Sequence, residues 1–208
     1  MISVIAGVNG AGKSSVLGSL IRSNGADYFN PDEHARRLMV TGEEPDPGIA
    51  NGKAWQKGFD GLSHAIDNNL QYTFETTLGG NSITGELNRA IALGTPVRVI
   101  YVGLDTPERH IERVRARVSR GGHPIAEGKI RQRFEQSRLN LIDLIHHGLD
   151  ELVLWDNSAT DADGKPEPVL VCHLRGREWI KAPEPTCPLW ARPIAAAAME
   201  YAEGASKR

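Results

Sequence analysis

Gly7-Val8-Asn9-Gly10-Ala11-Gly12-Lys13-Ser14 decides how the rest of the chain is read. The octet fits G-x-x-x-x-G-K-[ST], a loop whose backbone N–H groups curl around phosphate anions. Its flanks agree with that reading. Residues 2–6 are a short apolar run, as in a buried strand, and in residues 15–21 Val16, Leu20 and Ile21 recur on one side of a helix. Strand, loop and helix N-terminus together make an anion site. Gly7, Asn9, Gly10, Ala11, Gly12 and Ser15 surround the nucleotide phosphates, Lys13 reaches the terminal ones, and the Ser14 hydroxyl can take Mg²⁺. The expected cofactors are ATP or GTP with Mg²⁺. A chance glycine turn would have to match both the pattern and the flanks.

The whole chain bounds what can surround that loop. Its 208 residues suit one domain, or one domain with an appendage, and 40% apolar content supports a single core. The net charge of -2 gives no electrostatic footprint for nucleic acid. No apolar run is long enough to cross a membrane, and no basic segment leads into a long apolar stretch as in a signal peptide. The expected compartment is the cytoplasm. Cys172 and Cys187 have no metal-type spacing, and a disulfide between them is not expected there.

Strands and helices alternate along the rest. Residues 26–29 form a second candidate strand, ending in Asn30-Pro31-Asp32-Glu33 and followed by a short helix over 34–40. Residues 41–53, rich in Gly, Pro and acids, read as a long surface loop. A helix follows over 54–70, then a third strand over 71–75 that runs into Thr76-Thr77. Ser82 can cap the next helix, and 97–102 is a β-branched fourth strand. Thr106-Pro107-Glu108 opens a helix to about residue 120, Gly121-Gly122-His123-Pro124 breaks it, and a second long helix covers 127–147. Residues 152–155 are a fifth strand, after which Asp156 orders the Asn157-Ser158 turn. Residues 169–173 read as an edge strand with 178–180 pairing nearby, and 193–201 as a terminal helix. The expectation is an α/β fold with a mainly parallel sheet, followed by a hairpin and helix appendage over 159–208.

Ligands in such sheets sit at the carboxyl ends of the strands. That rule brings the phosphate loop, Asn30 to Glu33 and Glu75 to Thr77 to one cleft. Phosphoryl transfer needs metal, positive charge and a positioned acceptor. Asp32 is the first candidate for the carboxylate beside an acceptor hydroxyl, and Glu75 the second. Asp32 would equally serve as a helix N-cap, and Glu75 could merely order its own turn. Thr76 and Thr77 could hold a metal-bound water or a substrate phosphate, or cap their turn. Arg109, Arg113, Arg117 and Arg120 share one helix face, with Arg131 and Arg133 beyond the glycine break. Such a stripe fits either a lid over a triphosphate or a solvated cationic face. Three functions remain open at this level: a kinase acting on a sugar hydroxyl, a kinase for another hydroxyl on a nucleoside, nucleotide or antibiotic, and an ATP-gated binding module without transfer.

Taken together, the phosphate loop, Asn30-Pro31-Asp32-Glu33, Phe74-Glu75-Thr76-Thr77, Tyr101-Val102-Gly103-Leu104, Arg117-Val118-x-x-Gly121-Gly122-His123 and Ile130-Arg131-x-Arg133-Phe134 resemble the zeta toxin family over residues 1–158. The resemblance implies an α/β three-layer fold of P-loop nucleotide-kinase type, with a mainly parallel five-stranded sheet and a core over 1–158 that carries a helical lid over about 105–147. The activity it implies is that of an ATP-dependent kinase that phosphorylates the sugar 3′-hydroxyl of UDP-N-acetylglucosamine. It also implies a nucleotide-sugar substrate and brings a separate antitoxin protein into view as a partner. By position, Lys13 and Ser14 would bind ATP and Mg²⁺, and Asp32 would be the catalytic base. Glu75, reaching the metal through water, would stand at the substrate with Thr76 and Thr77. Arg117 or Arg120, with Arg133, would supply lid charge. The chain lacks the longer substrate-binding segments of larger family members.

Overall fold

The computed structural model describes residues 1–14 and 28–204. Among them the strands are β1 (Ile2–Ala6), β2 (Tyr72–Thr76), β3 (Val97–Gly103), β4 (Glu151–Asp156), β5 (Val169–Arg175) and β6 (Glu178–Lys181). The helices are α1 (Pro31–Val40), α2 (Pro47–Asp67), α3 (Asn81–Ala92), α4 (Pro107–Val118), α5 (Glu127–His146) and α6 (Arg192–Glu203). Ser15 and the helix expected over 15–21 lie outside the described residues.

The sheet runs β2-β1-β3-β4-β5-β6. β1 pairs in parallel with both β2 and β3, and β3 pairs in parallel with β4. β5 and β6 then add antiparallel. The expected five mainly parallel strands are therefore four parallel strands plus two antiparallel ones. Of the strand expected over 26–29, the described part is a parallel bridge from Phe29 to Phe74 on the outer side of β2. Phe29 N–H donates to the Thr73 carbonyl at 2.9 Å and accepts from Glu75 N–H at 2.8 Å. Asn30 consequently leaves the sheet at the same end as the residues after β1 and β2.

The parallel strands bury apolar side chains on both faces, and α2, α3, α5 and α6 pack on one of them. Side-chain alternation divides them: Val4, Ala6, Val99 and Tyr101 enter the main core, whereas Ile5 and Val102 point to the other face with Ala11 and Tyr28. Trp190, Ala191, Ile194 and Ala198 of the C-terminal segment join that same main core. Each fully buried Leu or Ile contributes about 1.5–3 kcal/mol.

Three local expectations are corrected. The long loop over 41–53 is short, because Asp46 accepts from Ile49 N–H at 2.9 Å and Pro47 opens α2. The helix expected from 34 starts at Pro31, and its cap is Asn30, whose Oδ1 accepts from Asp32 and Glu33 N–H at 2.9 and 3.2 Å. Asp32 is thus not the cap. Gly80, without a side-chain cap bond, precedes α3 where Ser82 was expected to cap.

Candidate active site

The segments after β1, β2, β3 and β4 and the one after Phe29 all meet at the carboxyl edge of the sheet, as parallel register requires. The loop after β1 passes too close to its neighbours for side chains. A Cβ on Gly7 (φ 140°) would lie 2.1 Å from the Val102 carbonyl oxygen, and one on Gly10 (φ 85°) 2.6 Å from that of His110. Glycine is what allows the loop to fold against β3 and α4. Asn157, fully buried after β4, donates from Nδ2 to the Ala11 carbonyl at 2.8 Å and fixes the loop from behind.

Lys13 is buried at 6% exposure. Its Nζ donates to the Gly7 carbonyl at 2.6 Å and lies 3.6 Å from Glu75 Oε1. The other carboxylate oxygen of Glu75 accepts from Ser14 Oγ at 2.9 Å and from Asn30 Nδ2 at 3.1 Å. Glu75 therefore joins three strand ends rather than ordering only its own turn. Mg²⁺ prefers a few hard oxygen ligands completed by water and phosphate. The facing Ser14 hydroxyl and Glu75 carboxylate are donors of that kind, so these residues fit the metal that the fold implies.

Helices α4 and α5 grip the loop through Asn9. His110 Nδ1 donates to the Asn9 carbonyl at 2.9 Å, and Arg133 Nη1 donates to Asn9 Oδ1 at 2.7 Å. His110 is 1% exposed and lies edge-on to Phe134, with ring centroids 5.7 Å apart. Burial, with Lys13 and Arg113 adding, pushes its imidazole down to about 4 despite the Asn9 carbonyl, so it is neutral at pH 7. Burial also lowers the Arg133 guanidinium, and nearby Asp32 opposes that shift.

The floor of the cleft is the turn after β2. Leu78 takes φ 53° there, an uncommon conformation for a residue with a side chain. Hydrogen bonds from α5 hold it: Ser137 Oγ donates to the Thr77 carbonyl at 2.7 Å, and Asn140 Nδ2 to the Leu78 and Gly80 carbonyls at 2.8 and 3.2 Å. Because the Ser137 proton is committed, Tyr101 must donate the 2.9 Å bond between their hydroxyls. Thr76 and Thr77 hydroxyls accept from Leu78 and Gly79 N–H at 3.1 and 3.4 Å, and both residues also line the cleft.

Lys13, Asp32, Glu75, Thr76, Thr77 and Arg133 line one cleft of about 550 Å³. Asp32 stands in the first turn of α1 with a largely exposed carboxylate, 4.0 Å from Arg117 Nη1. The arginine stripe divides. Arg117 does not itself line the cleft, but its Nη2 donates at 3.1 Å to the carbonyl of His123, which does, beside Asp32. Arg109 and Arg113 instead donate to the Ser158 and Asn157 carbonyls at 2.6 and 2.7 Å. Arg120 is exposed and does not line the cleft. Arg131 pairs with Glu108 at 2.5 Å outside it. Asp156 orders the turn after β4, accepting from Ser158 Oγ at 2.6 Å and from Trp190 Nε1 at 3.1 Å. Asn30 as a Glu75 partner, and His110 and Asn157 as supports of the loop, emerge only from the fold. Each acts through a contact at least 45 residues away in sequence, which no local motif records.

No family model matches the chain. A Haemophilus influenzae protein, described as uncharacterized, is 30% identical over 128 residues, covering 62% of this chain and 88% of that protein. The AvrRxo1-ORF1:-ORF2 structure solved with ATP matches with a TM-score of 0.58 at 16% identity, over 95% of this chain and 63% of that one. This chain thus spans less than two thirds of that neighbour. A structure from the PezAT chromosomal toxin-antitoxin system of Streptococcus pneumoniae matches with a TM-score of 0.50 at 13% identity, over 96% and 77% of the two chains. Identities this low speak for the fold, which is that of the α/β P-loop kinases. The chain belongs to the same family as the Haemophilus influenzae protein. Among the described residues no helix is long and apolar enough to cross a membrane.

Proposed function

We propose that the protein is a kinase that moves the γ-phosphoryl group of ATP to a hydroxyl of a small molecule, with the 3′-hydroxyl of UDP-N-acetylglucosamine as the acceptor. The observation that carries the reading is a single cleft. The phosphate-loop Lys13 and Glu75, which holds the Ser14 hydroxyl, share it with a second, largely exposed carboxylate, Asp32. A nucleotide-gated module without transfer has no need of that second carboxylate. The UDP-sugar acceptor is drawn from the zeta toxin resemblance of the motifs at Asn30 to Glu33 and Phe74 to Thr77.

Each residue then has a task. Lys13 and the loop N–H groups neutralise and orient the β- and γ-phosphates. Mg²⁺, held by Ser14 and, through water, Glu75, would spread the charge of those phosphates. Asp32 orients the acceptor hydroxyl and takes its proton as the oxygen attacks phosphorus. Arg133 and Arg117, from the two lid helices, balance charge on the transferring group. Arg133 must exchange Asn9 for phosphate oxygens, and Asn9 stays anchored to α4 by the His110 bond while it does so. A separate antitoxin protein belongs to the same reading, in keeping with neighbours solved as a two-protein complex and from a toxin-antitoxin system.

The test is a panel of acceptors incubated with ATP and Mg²⁺ and read by mass spectrometry. One phosphoryl unit should appear on UDP-N-acetylglucosamine. Transfer only to a nucleoside, a nucleotide or an antibiotic would replace the named acceptor, and no transfer to any hydroxyl would remove the kinase reading.

A further inference from the structure

The transfer chemistry leaves one wall of the cleft without a task. On α2, Asn51, Trp55 and Phe59 follow one another at helical spacing along that wall. The Trp55 and Phe59 rings stack with centroids 5.3 Å apart and planes 18° apart. Trp55 nevertheless keeps 45% of its surface exposed, a large apolar face left in water inside a concave site. From α5, Lys129 and Gln132 line the same cleft, Lys129 one turn before Arg133. The Lys129 ammonium is exposed and has no hydrogen-bond or ion-pair partner among the described residues. Lys13 and Arg133 already serve the donor phosphates, so Lys129 is a further cation in a cleft whose donor end is supplied.

A flat apolar face with amides and an uncommitted cation in the same cleft is complementary to a heterocyclic ring that carries a phosphate. We propose that Trp55 and Lys129 form the subsite that selects the acceptor. The base of a nucleoside phosphate lies on the Trp55 ring, and its phosphate meets Lys129. A neutral polyol would leave Lys129 without a counter-charge, and an inorganic anion would leave Trp55 in water. The cleft volume of about 550 Å³ lies in the range that takes a ligand of nucleotide size. The inference rests on the kinase reading for the word acceptor, but binding at Trp55 does not require transfer.

Trp55 is the most exposed of the tryptophans, so its emission reports the subsite directly. With ATP absent, uridine diphosphate should quench that emission saturably, and N-acetylglucosamine 1-phosphate should not. Trp55→Leu should weaken uridine diphosphate binding, followed by calorimetry, about tenfold or more, while Trp55→Phe keeps most of it. Lys129→Gln should weaken it about fivefold and flatten its salt dependence. Neither change should alter ATP affinity or the melting temperature. In turnover, Trp55→Leu should raise the acceptor KM with kcat little changed. Unchanged uridine diphosphate affinity in Trp55→Leu would overturn the proposal, as would quenching by the sugar phosphate alone. Trp55-dependent binding without transfer would defeat the kinase reading and leave the subsite standing. Transfer with an unaltered KM in Trp55→Leu would do the reverse.

Discussion

The two ends of the cleft are built on opposite terms. At the proposed donor end Lys13, Asn9 and Glu75 are each less than 9% exposed and already hydrogen-bonded to protein. At the proposed acceptor end Asp32, Trp55 and Lys129 are exposed, and among the described residues only Asp32 faces a charge, at 4.0 Å. Buried polar groups must find partners within the fold, so the donor end is organised before any ligand arrives. Exposed groups carry no such requirement and remain open to a ligand. Changes at the donor end should therefore disturb folding together with activity. Changes at the acceptor end should disturb activity alone.

The sharpest separation should come from Asp32→Asn. The side chain keeps its shape and loses its basicity, so acceptor phosphorylation should fall about 10²- to 10⁴-fold. ATP affinity should hold, and the lost acid at the α1 N-terminus should cost a few tenths of a kcal/mol. Steady-state transfer alongside ATP calorimetry and thermal melts checks all three, and unchanged transfer sinks the base assignment. At the donor end the counterpart is Gly10→Ala. Positive φ and a Cβ 2.6 Å from the His110 carbonyl oxygen should destabilise the fold by about 3 kcal/mol or more. A melt unchanged from the native protein would show that the loop and α4 can part without penalty.

The same division explains what could be seen in the chain before its structure. The donor loop is eight consecutive residues whose spacing is itself the geometry, so it is legible from sequence. Alternating strands and helices likewise define the α/β layers. Their edges shift where capping chemistry competes, as with Asn30 in place of Asp32 and Asp46 opening α2 inside an expected loop. The arginine stripe shows the limit of periodicity. Arg109, Arg113 and Arg117 share a face of α4, yet at 1.5 Å per residue they are spread over about 12 Å, and Arg120 lies past the end of the helix. Only tertiary placement reveals that Arg117 meets Asp32 while Arg109 and Arg113 hold the turn after β4. His110 and Asn157 were hidden for a related reason. A buried histidine and a buried asparagine carry no local pattern, and their partners lie on other segments.

His110 offers a smaller effect with a definite sign. Its folded value of about 4 lies below the ordinary 6.5, so as pH falls the unfolded chain takes up the proton first. The contribution is complete above about pH 6.5 and declines toward pH 4, to a total of at most about 3 kcal/mol. Denaturant melts at several pH values should show this decline in the native protein and a shallower one in His110→Gln. Burial raises the Glu151 carboxyl, but hydrogen bonds from His173 and Arg175 hold it below its ordinary value, so its own contribution is lost only at the acid end of such a series. The difference between the two proteins isolates His110. Equal slopes would mean that its neutral state is no part of how α4 holds Asn9.

The smallest effect belongs at the acceptor wall. Asn51 Nδ2 donates to the Pro47 carbonyl at 2.7 Å and lies 3.5 Å from His123 Nε2 across the mouth of the cleft. The first bond is solvent-exposed, and the second is at the outer limit of hydrogen-bond length, so neither should matter to folding. Asn51→Ala should shift stability by about 0.5 kcal/mol at most, or roughly 1–2 °C in Tm. Acceptor affinity should still fall a few-fold, because the amide beside Trp55 is removed. A stability loss several times larger would mean that the Asn51–His123 contact holds the lid in place. The acceptor wall would then carry structural work like the donor loop, and the division between the two ends would have to be redrawn.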